Sequence, residues 1–413
     1  GQRLMLSALA NLSSEVRQYL LVTGNYWAFT LTDGALRMLV VLHFHQLGYN
    51  PLEIALLFLF YEFFGVVTNL VGGWLGARIG LNKTMNIGLS LQVIALLMLT
   101  VPASMLTVPW VMAAQAFSGI AKDLNKMSAK SSVKQLAKAQ VEGHLYKLVA
   151  ILTGSKNTLK GVGFFLGGML LSLAGFTGAV WIMIGVLSLV LLLSLIKLKE
   201  DLGKAKVKPK FTEVFSTSSA VNTLSAARLF LFGARDIWFV VALPVYLSST
   251  FDWDHWAVGG FLASWIVAYG FVQAAAPWIT GRRSGKHPDG MSALRWAMTL
   301  TAIPALIALG LGDNSGLNPQ WVLLGGLGLF GVLFAINSSL HSYLIVSYAK
   351  EDGASMDVGF YYMANASGRL IGTLLSGWLF QVYGLSACLW MSALFLLMTS
   401  GLSLALPRHQ TTG

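Results

Sequence analysis

Charge is scarce in this chain. Only 11% of its 413 residues are Asp, Glu, Lys or Arg, against roughly 25% in soluble domains. That shortage excludes an ordinary water-exposed globule and places the chain in lipid. Cysteine is nearly missing: Cys388 stands alone, so no intrachain disulfide is possible, and in its apolar run it reads as a small buried hydrophobe. No Walker A string occurs, so ATP does not drive the chain directly. No nucleophile–base constellation occurs either, which argues against an enzyme, and no cofactor is expected. Acidic residues are few beside basic ones, leaving a net charge of +11. The basic residues form no single solvated stripe with interleaved aromatics, which excludes nucleic acid as the partner. The opening GQRLMLSALANLSSEVRQ has no cleavage site after a short apolar core, so no removable secretion signal is expected.

Apolar residues are abundant: 55% of the chain, with a mean hydropathy of +0.67. Stretches long enough to span a bilayer, about 20 residues each, recur near 20–46, 52–77, 84–102, 107–127, 147–173, 178–197, 222–248, 256–280, 293–312, 320–347, 357–382 and 386–406. Forty-three glycines suit membrane helices that pack closely through small residues. The expected fold is an all-α polytopic membrane protein of twelve transmembrane helices in two pseudo-symmetric six-helix halves. The odd-numbered connections, HFHQLGYNP, PASMLTVP, AGFTG, SSTFDWDH, GLGDNSGLNP and VYGLSA, hold no Lys or Arg. The even-numbered ones hold Arg78 and Lys83, then Lys130 to Lys138, Lys197 to Lys210, Arg282 to Lys286, and Lys350. Lys and Arg mark the cytoplasmic side, so both termini are expected there. The expected segments are a cytoplasmic start at 1–18, a six-helix half at 19–198, a linker at 199–219, a second half at 220–406 and a tail at 407–413. The linker, KLKEDLGKAKVKPKFTEVFSTSS, is basic and is read as a tether along the anionic inner membrane surface.

The halves look like a diverged repeat. The first helix of one carries Asp33-Gly34-Ala35-Leu36-Arg37, and the first helix of the other carries Gly233-Ala234-Arg235-Asp236. A Gly/Arg turn follows the next helix in each, GGWLGARIGLNK and TGRRSGK. This organisation resembles the major facilitator superfamily. Gly73, Leu75, Arg78, Gly80 and Lys83 fall close to that family's loop motif between helices two and three, with Ala77 where the family has an acid. Gly161, Gly163, Gly167 and Gly168 resemble the Gly-rich fifth helix of its antiporters, without the proline; they are read as close helix packing.

Several cations stand where a membrane should not tolerate them. A cation at the bilayer centre costs roughly 2.5–3.5 kcal/mol on insertion scales. Arg37 lies in the first span, Lys122 and Lys126 in the fourth, Lys156 and Lys160 in the fifth, Arg228 and Arg235 in the seventh, and Arg369 near the middle of the eleventh. Lys122 and Lys126 share a helix face, as do Lys156 and Lys160, and Arg228 and Arg235. Like charges stacked this way repel, so each face should point to a wet interior. Asp33, Glu62, Asp123 and Asp236 are too few to neutralise them all. Asp33 and Arg37, four apart, are expected to pair. Lys126, Lys130 and Arg228 are expected to snorkel toward the cytoplasmic ends. Arg37, Lys160, Arg235 and Arg369 are expected at membrane depth. Surplus positive charge in a closed bundle implies an anionic guest, and Arg matches phosphate or arsenate oxygens bidentately. Arg37 and Arg235 stand at similar depths and are expected to clasp one anion together. Helices four and five are expected to hold one anionic head, and helices seven and eleven the other.

Tyr26, Asn25, Thr30, Asn125, Asn157, Asn337, Ser338 and His341 are further polar candidates. Asn337 and His341, four apart, either bind substrate or tie helices together. Trp110, Trp253 and Trp321 are read as interfacial anchors. Gly326-x-Gly328-x-x-Gly331 matches a dinucleotide fingerprint only as a string, because it lies inside an apolar span; it is read as packing. His43 and His45 with Asp252, Asp254 and His255 are too loosely spaced for a metal site and are read as an outer gate or interface, so no metal is expected.

Three runs are more specific: YLLVTGNYWAFTLTDGALRMLVVLHFHQLGY, LLFLFYEFFGVVTNLVGGWLGARIGLNKTMNIGL and AFSGIAKDLNKMSAKSSVK. With YYMANASGRLIGTLLSGWLFQVYG they resemble the ArsJ family, organoarsenical efflux permeases of bacterial arsenic operons, over nearly the whole chain. The resemblance implies export of 1-arseno-3-phosphoglycerate across a bacterial inner membrane, arsenate resistance, and a glyceraldehyde-3-phosphate dehydrogenase that makes the ester. A monomer in the lipid bilayer is expected. An interior-negative potential favours anion exit by about 2.3 kcal/mol per charge per 100 mV, so proton antiport is permitted but not required. Asp33, Glu62 and Asp236 are the proton candidates, or else neutralise Arg37 and Arg235. The alternatives are an exchanger of organophosphate or inorganic phosphate and, remotely, a membrane sensor without transport.

Overall fold

The structure is a computed structural model. It describes residues 1–3, 14–49, 51–136, 142–198, 204–205, 214–215, 218–240, 242–253, 255–280 and 287–408. All regular structure among them is helical. The helices are α1 (Ser14–Gln46), α2 (Pro51–Ile79), α3 (Leu81–Met98), α4 (Val108–Leu136), α5 (Glu142–Lys197), α6 (Ser219–Phe239), α7 (Ala242–Ser249), α8 (His255–Thr280), α9 (Gly290–Gly310), α10 (Pro319–Tyr348), α11 (Ala354–Tyr383) and α12 (Leu385–Ser403).

Two of the expected spans run together in α5. The expected AGFTG break is present as a kink at Gly175, whose φ of 69° and ψ of 176° are not helical. A left-handed φ favours glycine because it has no Cβ to clash, so the chain turns there without a loop. The seventh span is broken instead, into α6 and α7. One expected boundary is corrected. Residues 130–136 were expected to belong to a connection, yet α4 continues through them to Leu136. Lys130, Ser131 and Ser132 are buried there, so packing extends the helix past the charges.

Apolar and polar positions are reversed relative to a water-soluble protein. Leu173 and Trp321 are each 77% exposed, whereas Lys130 is 2% and Arg228 3% exposed. Large apolar side chains outside and charges inside suit a hydrocarbon solvent. By length and composition, six helical segments among the described residues can cross a membrane, including 155–197 in α5 and 319–348 in α10. The helices that carry the buried cations, α4 and α6, and α11, which carries the partly exposed Arg369, lie outside that apolar set.

Packing divides the chain into two compact units. The first comprises Gly1–Leu148, Val162–Val214 and Lys350–Gly359. The second comprises Val149–Gly161, Phe215–Ala349 and Phe360–Gly413. In the first, α4 lies against α2 and α3. A Cβ at Gly119 would stand 2.5 Å from the Tyr61 carbonyl oxygen, so α4 meets α2 backbone to backbone. Gly163 and Gly167 press on Leu31 and Ala35 of α1, which is the close packing expected of the fifth-span glycines. The start of α11 closes on α2, where the Ser355 hydroxyl donates to the Gly73 carbonyl at 2.7 Å. Of the basic linker, Ala205 donates its N–H to the Ala77 carbonyl at 2.8 Å.

The second unit is built round an aromatic core. Trp265 stacks on Tyr269 at 5.8 Å, and Phe330 stacks on Phe334 at 5.7 Å. Trp238 meets Trp265 edge-on at 5.6 Å, and the Trp265 indole N–H donates to the Leu327 carbonyl at 2.9 Å. Gly326 and Gly331 press on Ile307 and Trp265, so the fingerprint-like string packs helices, as expected. Buried Cys388 faces the Ser376 carbonyl at 4.0 Å.

Candidate functional site

In the first unit, α1, α2 and α4 bring together a mixed-charge cluster. Asp33 of α1 accepts the Tyr61 hydroxyl of α2 at 3.1 and 3.0 Å to its two oxygens. Lys122 of α4 lies 4.8 Å from the Tyr61 ring centre, a favourable place for a cation on an aromatic face. One residue on, Asp123 pairs with Lys126 at 3.4 Å. A Cβ at Gly65 would stand 2.7 Å from the Asp123 carboxylate; glycine there lets the acid approach α2. Lys130 lies 5.7 Å from the ring of buried Tyr26. Lys122, Lys126 and Lys130 form one row, spaced by four on one face of α4.

Two expectations fail here. Asp33 and Arg37 do not pair. Arg37 stands 5.0 Å over the Phe58 ring, and the Asp33 carboxylate is taken by Tyr61 across a 28-residue separation. Nor do Lys126 and Lys130 snorkel, since they are 4% and 2% exposed. Helix α4 is held against α2 and α3 over this stretch, so the row points into protein. Glu62 is half-buried beside Tyr61.

Tyr61→Phe tests the first cluster. A hydrogen bond to a charged group contributes about 1.5–3 kcal/mol. The phenylalanine keeps the ring beneath Lys122 but leaves the buried Asp33 without its donor. The purified variant should melt at a lower temperature, and adding Asp33→Asn should recover part of the loss. An unchanged melting temperature would show that this bond contributes nothing.

In the second unit, α6, α10 and α11 hold three arginines and one carboxylate together. Arg235 donates its Nε–H to Asp236 at 2.8 Å, and the Arg369 Nε stands 3.9 Å from the other Asp236 oxygen. Both arginines remain partly exposed, at 17% and 15%. Arg235 also lies 4.9 Å from Phe232 and 5.4 Å from Phe334. Arg228 is different. Its Nε–H donates to Asn365 Oδ1 at 2.7 Å, and its Nη1 donates to the Ser338 carbonyl at 3.1 Å. Its guanidinium stacks 3.9 Å from the Phe232 ring centre. No carboxylate among the described residues pairs with it. Arg228 therefore does not snorkel, contrary to expectation; side-chain and carbonyl oxygens hold it inside.

A relay of amides lies behind Arg228. Asn157 donates to Gln273 at 3.1 Å, and Gln273 donates to the Ser338 hydroxyl at 3.2 Å. Asn157 lies between Lys156 and Lys160, both half-buried, and the segment carrying all three belongs to the second unit. Lys122 and Lys126 belong to the first unit, so the four lysines expected to act together divide between units. Asn337 donates both amide hydrogens to backbone carbonyls, Trp296 at 3.0 Å and Leu333 at 2.8 Å. Its donors thus tie α10 to α9. His341 is fully buried, and neither ring nitrogen has a hydrogen-bond partner.

Sequence reasoning missed Asn365 and Gln273, and set Arg228 aside. Nothing local distinguishes Asn365 or Gln273 from any other amide in a membrane helix. Near the end of α1, His43 stacks on Phe176 at 4.2 Å. Asp254 and the side chains of His45 and His255 lie outside the described residues.

The sequence pattern of the Major Facilitator Superfamily matches residues 20–294, more than half of the chain. The chain belongs to the major facilitator superfamily. Solved members of this fold agree. The human organic anion transporter MFSD10 (TETRAN) superposes with a TM-score of 0.73 at 17% identity, covering 95% of this chain and 100% of that one. The Escherichia coli fucose:proton symporter FucP gives a TM-score of 0.74 at 12% identity, covering 97% and 100%. A bacterial homologue of the iron transporter ferroportin, in an outward-facing state, gives 0.74 at 14% identity, covering 95% and 99%. No curated protein matches the chain. At these identities the likeness is one of fold alone; the family pattern over residues 20–294 is what makes the chain a membrane transporter. The substrate has to come from the chain's own charges.

Proposed function

We propose that this transporter exports an arsenylated phospho-organic anion, foremost 1-arseno-3-phosphoglycerate, and so confers arsenate resistance. The observation that carries the reading is the unbalanced charge inside the second unit. Arg235 and Arg369 share Asp236, while Arg228, 3% exposed, has no carboxylate partner among the described residues and donates to Asn365 Oδ1 and the Ser338 carbonyl. A buried ion without a counter-ion costs several kcal/mol, and a passenger with anionic oxygens removes that cost when it binds. Guanidinium forks suit tetrahedral oxyanions. The row of Lys122 and Lys126, with Arg37, supplies positive charge in the first unit; Lys156, Lys160, Arg235 and Arg369 supply it in the second. Each unit thus carries its own surplus of positive charge, which suits a multiply anionic cargo. The resemblance of the sequence to the ArsJ family selects the arsenylated ester among organophosphates. On that reading a glyceraldehyde-3-phosphate dehydrogenase supplies the substrate. The chain then sits in a bacterial inner membrane with both termini in the cytoplasm.

The acids divide by their partners. Asp236 is shared by two arginines. Asp33, bonded to a neutral tyrosine, is the foremost proton carrier if a proton is exchanged. Outward movement of an anion of charge near −3 gains about 7 kcal/mol from 100 mV, interior negative.

Uptake into inverted membrane vesicles tests the proposal. The arseno-ester, 3-phosphoglycerate and inorganic phosphate are offered separately, each with and without a membrane potential. The expected result is potential-stimulated accumulation of the arseno-ester above the other two. Equal handling of phosphate or 3-phosphoglycerate would replace the reading with an organophosphate or phosphate exchanger. Potential-independent uptake that needs a pH gradient would make proton antiport the driving reaction.

A further inference from the structure

We infer that Arg228 and His341 together form an oxyanion subsite in the second unit, positioned by Asn365 and by the Asn157–Gln273–Ser338 relay. It deepens the anion-export reading and rests on it for the cargo.

Arg228 carries five N–H donors. Two go to Asn365 Oδ1 and the Ser338 carbonyl, and no other bond of Arg228 joins a described residue. One guanidinium face is covered by Phe232 at 3.9 Å, and the Tyr361 ring centre lies 5.2 Å away. The unused donors therefore lie along the edge of the fork, the part that engages a tetrahedral oxyanion.

His341 stands at the same level. A helical carbonyl points toward the residue four positions on, and the Ser338 carbonyl indeed accepts the Ser342 hydroxyl at 2.9 Å as well as Arg228 Nη1. That places the guanidinium beside the turn 338–342, where His341 follows Ser338 by three residues on one face. His341 is fully buried with both ring nitrogens unpartnered. Buried polar groups are nearly always hydrogen-bonded, and an exception calls for a missing partner. A ligand oxygen held by Arg228 supplies it.

The subsite selects by hydrogen count as well as charge. A neutral imidazole offers one donor and one acceptor. Its acceptor takes the proton of a hydroxyl on, or next to, the oxyanion, and its donor adds to the fork. The class of ligand is a phosphate-type head that carries or neighbours a hydroxyl. A bare carboxylate uses the fork alone.

The supports act through Arg228 and His341, not on the ligand. Asn365 and the Ser338 carbonyl hold the fork at a fixed angle, and Gln273 and Asn157 hold the turn that carries Ser338. They are positioning residues.

Purified full-length protein in detergent decides the matter. Binding is measured calorimetrically with 3-phosphoglycerate, inorganic phosphate and lactate as probes. The variants are Arg228→Lys, His341→Leu, His341→Gln and Asn365→Ala, each first checked for its melting temperature without ligand. The expected result is phosphate-type binding over lactate in the parent. Arg228→Lys and His341→Leu should each weaken it about 10- to 100-fold, as loss of one or two charge-assisted bonds implies. His341→Gln, which keeps a donor and an acceptor, should recover part of the loss. Asn365→Ala should weaken binding by less. Unchanged affinity in His341→Leu overturns the subsite, even if Arg228→Lys fails to fold. So does a parent that binds none of the probes. If binding follows the expected order but vesicles accumulate no arseno-ester, the subsite stands and the export reading falls.

Discussion

Asp236→Asn should destabilise the protein by about 3–5 kcal/mol, the cost of removing one partner from a buried ion pair. Asp236 is the carboxylate for both Arg235, at 2.8 Å, and Arg369, at 3.9 Å. The asparagine keeps shape and one acceptor but removes the negative charge that two guanidinium groups share. Loss of folded protein from membranes, or a large drop in melting temperature, is the expected outcome. Arg369→Gln alone should cost less, because Arg235 still neutralises the acid. The pair Asp236→Asn with Arg369→Gln should be more stable than Asp236→Asn alone, and the difference measures the coupling. A transporter as stable with Asp236→Asn as without it would show that the arginines are balanced by something other than this acid. Arg235 and Arg369 are partly exposed, at 17% and 15%, which sets the expected loss at the lower end of that range.

Gly368→Ala should have the next largest effect, for a steric reason. Helix α11 crosses α6 with the backbones nearly touching. An added methyl at Gly368 would collide with the Leu229 carbonyl oxygen and stand 2.9 Å from its carbonyl carbon and Cα. Those are backbone atoms and cannot rotate away. One turn on, Gly372 is equally close to Asp236 and Gly233, with a would-be Cβ 2.8 Å from each. Overpacking costs about 1–3 kcal/mol, occasionally more, and an immovable neighbour puts this site at the upper end. The next residue is Arg369, so forcing the helices apart also moves that side chain from Asp236. Melting temperature and transport should fall together. Gly377→Ala on the same helix is the control. Nothing lies within 4 Å of its missing Cβ, so the substitution should stabilise the helix by up to about 1 kcal/mol. Equal behaviour of the two variants would show that the crossing is loose.

The two clusters differ in how much of them is visible along the chain. Charges stand out in an apolar sequence, so Arg37, Lys122, Lys126, Arg235, Asp236 and Arg369 can be singled out by composition alone. The spacing of four along α4 places Lys122, Lys126 and Lys130 on one face without any coordinates. The partners of these groups are a different matter. Asp33 has Arg37 one turn away, and the local rule pairs them, yet Tyr61 takes the acid. Arg228 stands near the end of its span, which favours snorkelling, yet Asn365, 137 residues away, accepts its Nε–H. Asn337 and His341 looked equivalent along the chain; in the fold Asn337 spends its donors on backbone and His341 spends none.

The sequence by itself determined the solvent, the helices and the surplus of positive charge. Hydropathy, glycine content and the number and spacing of Lys and Arg are properties of local composition, and folding does not change them. The tertiary structure decided which cations are neutralised, which are held by neutral oxygens, and where helices close to backbone contact. Those outcomes depend on short-range forces between groups far apart in the chain, and an ångström of helix displacement makes or removes each one. Local pattern carries no information at that range, so Arg228 reads as a helix-end cation until Asn365 and Ser338 are placed beside it.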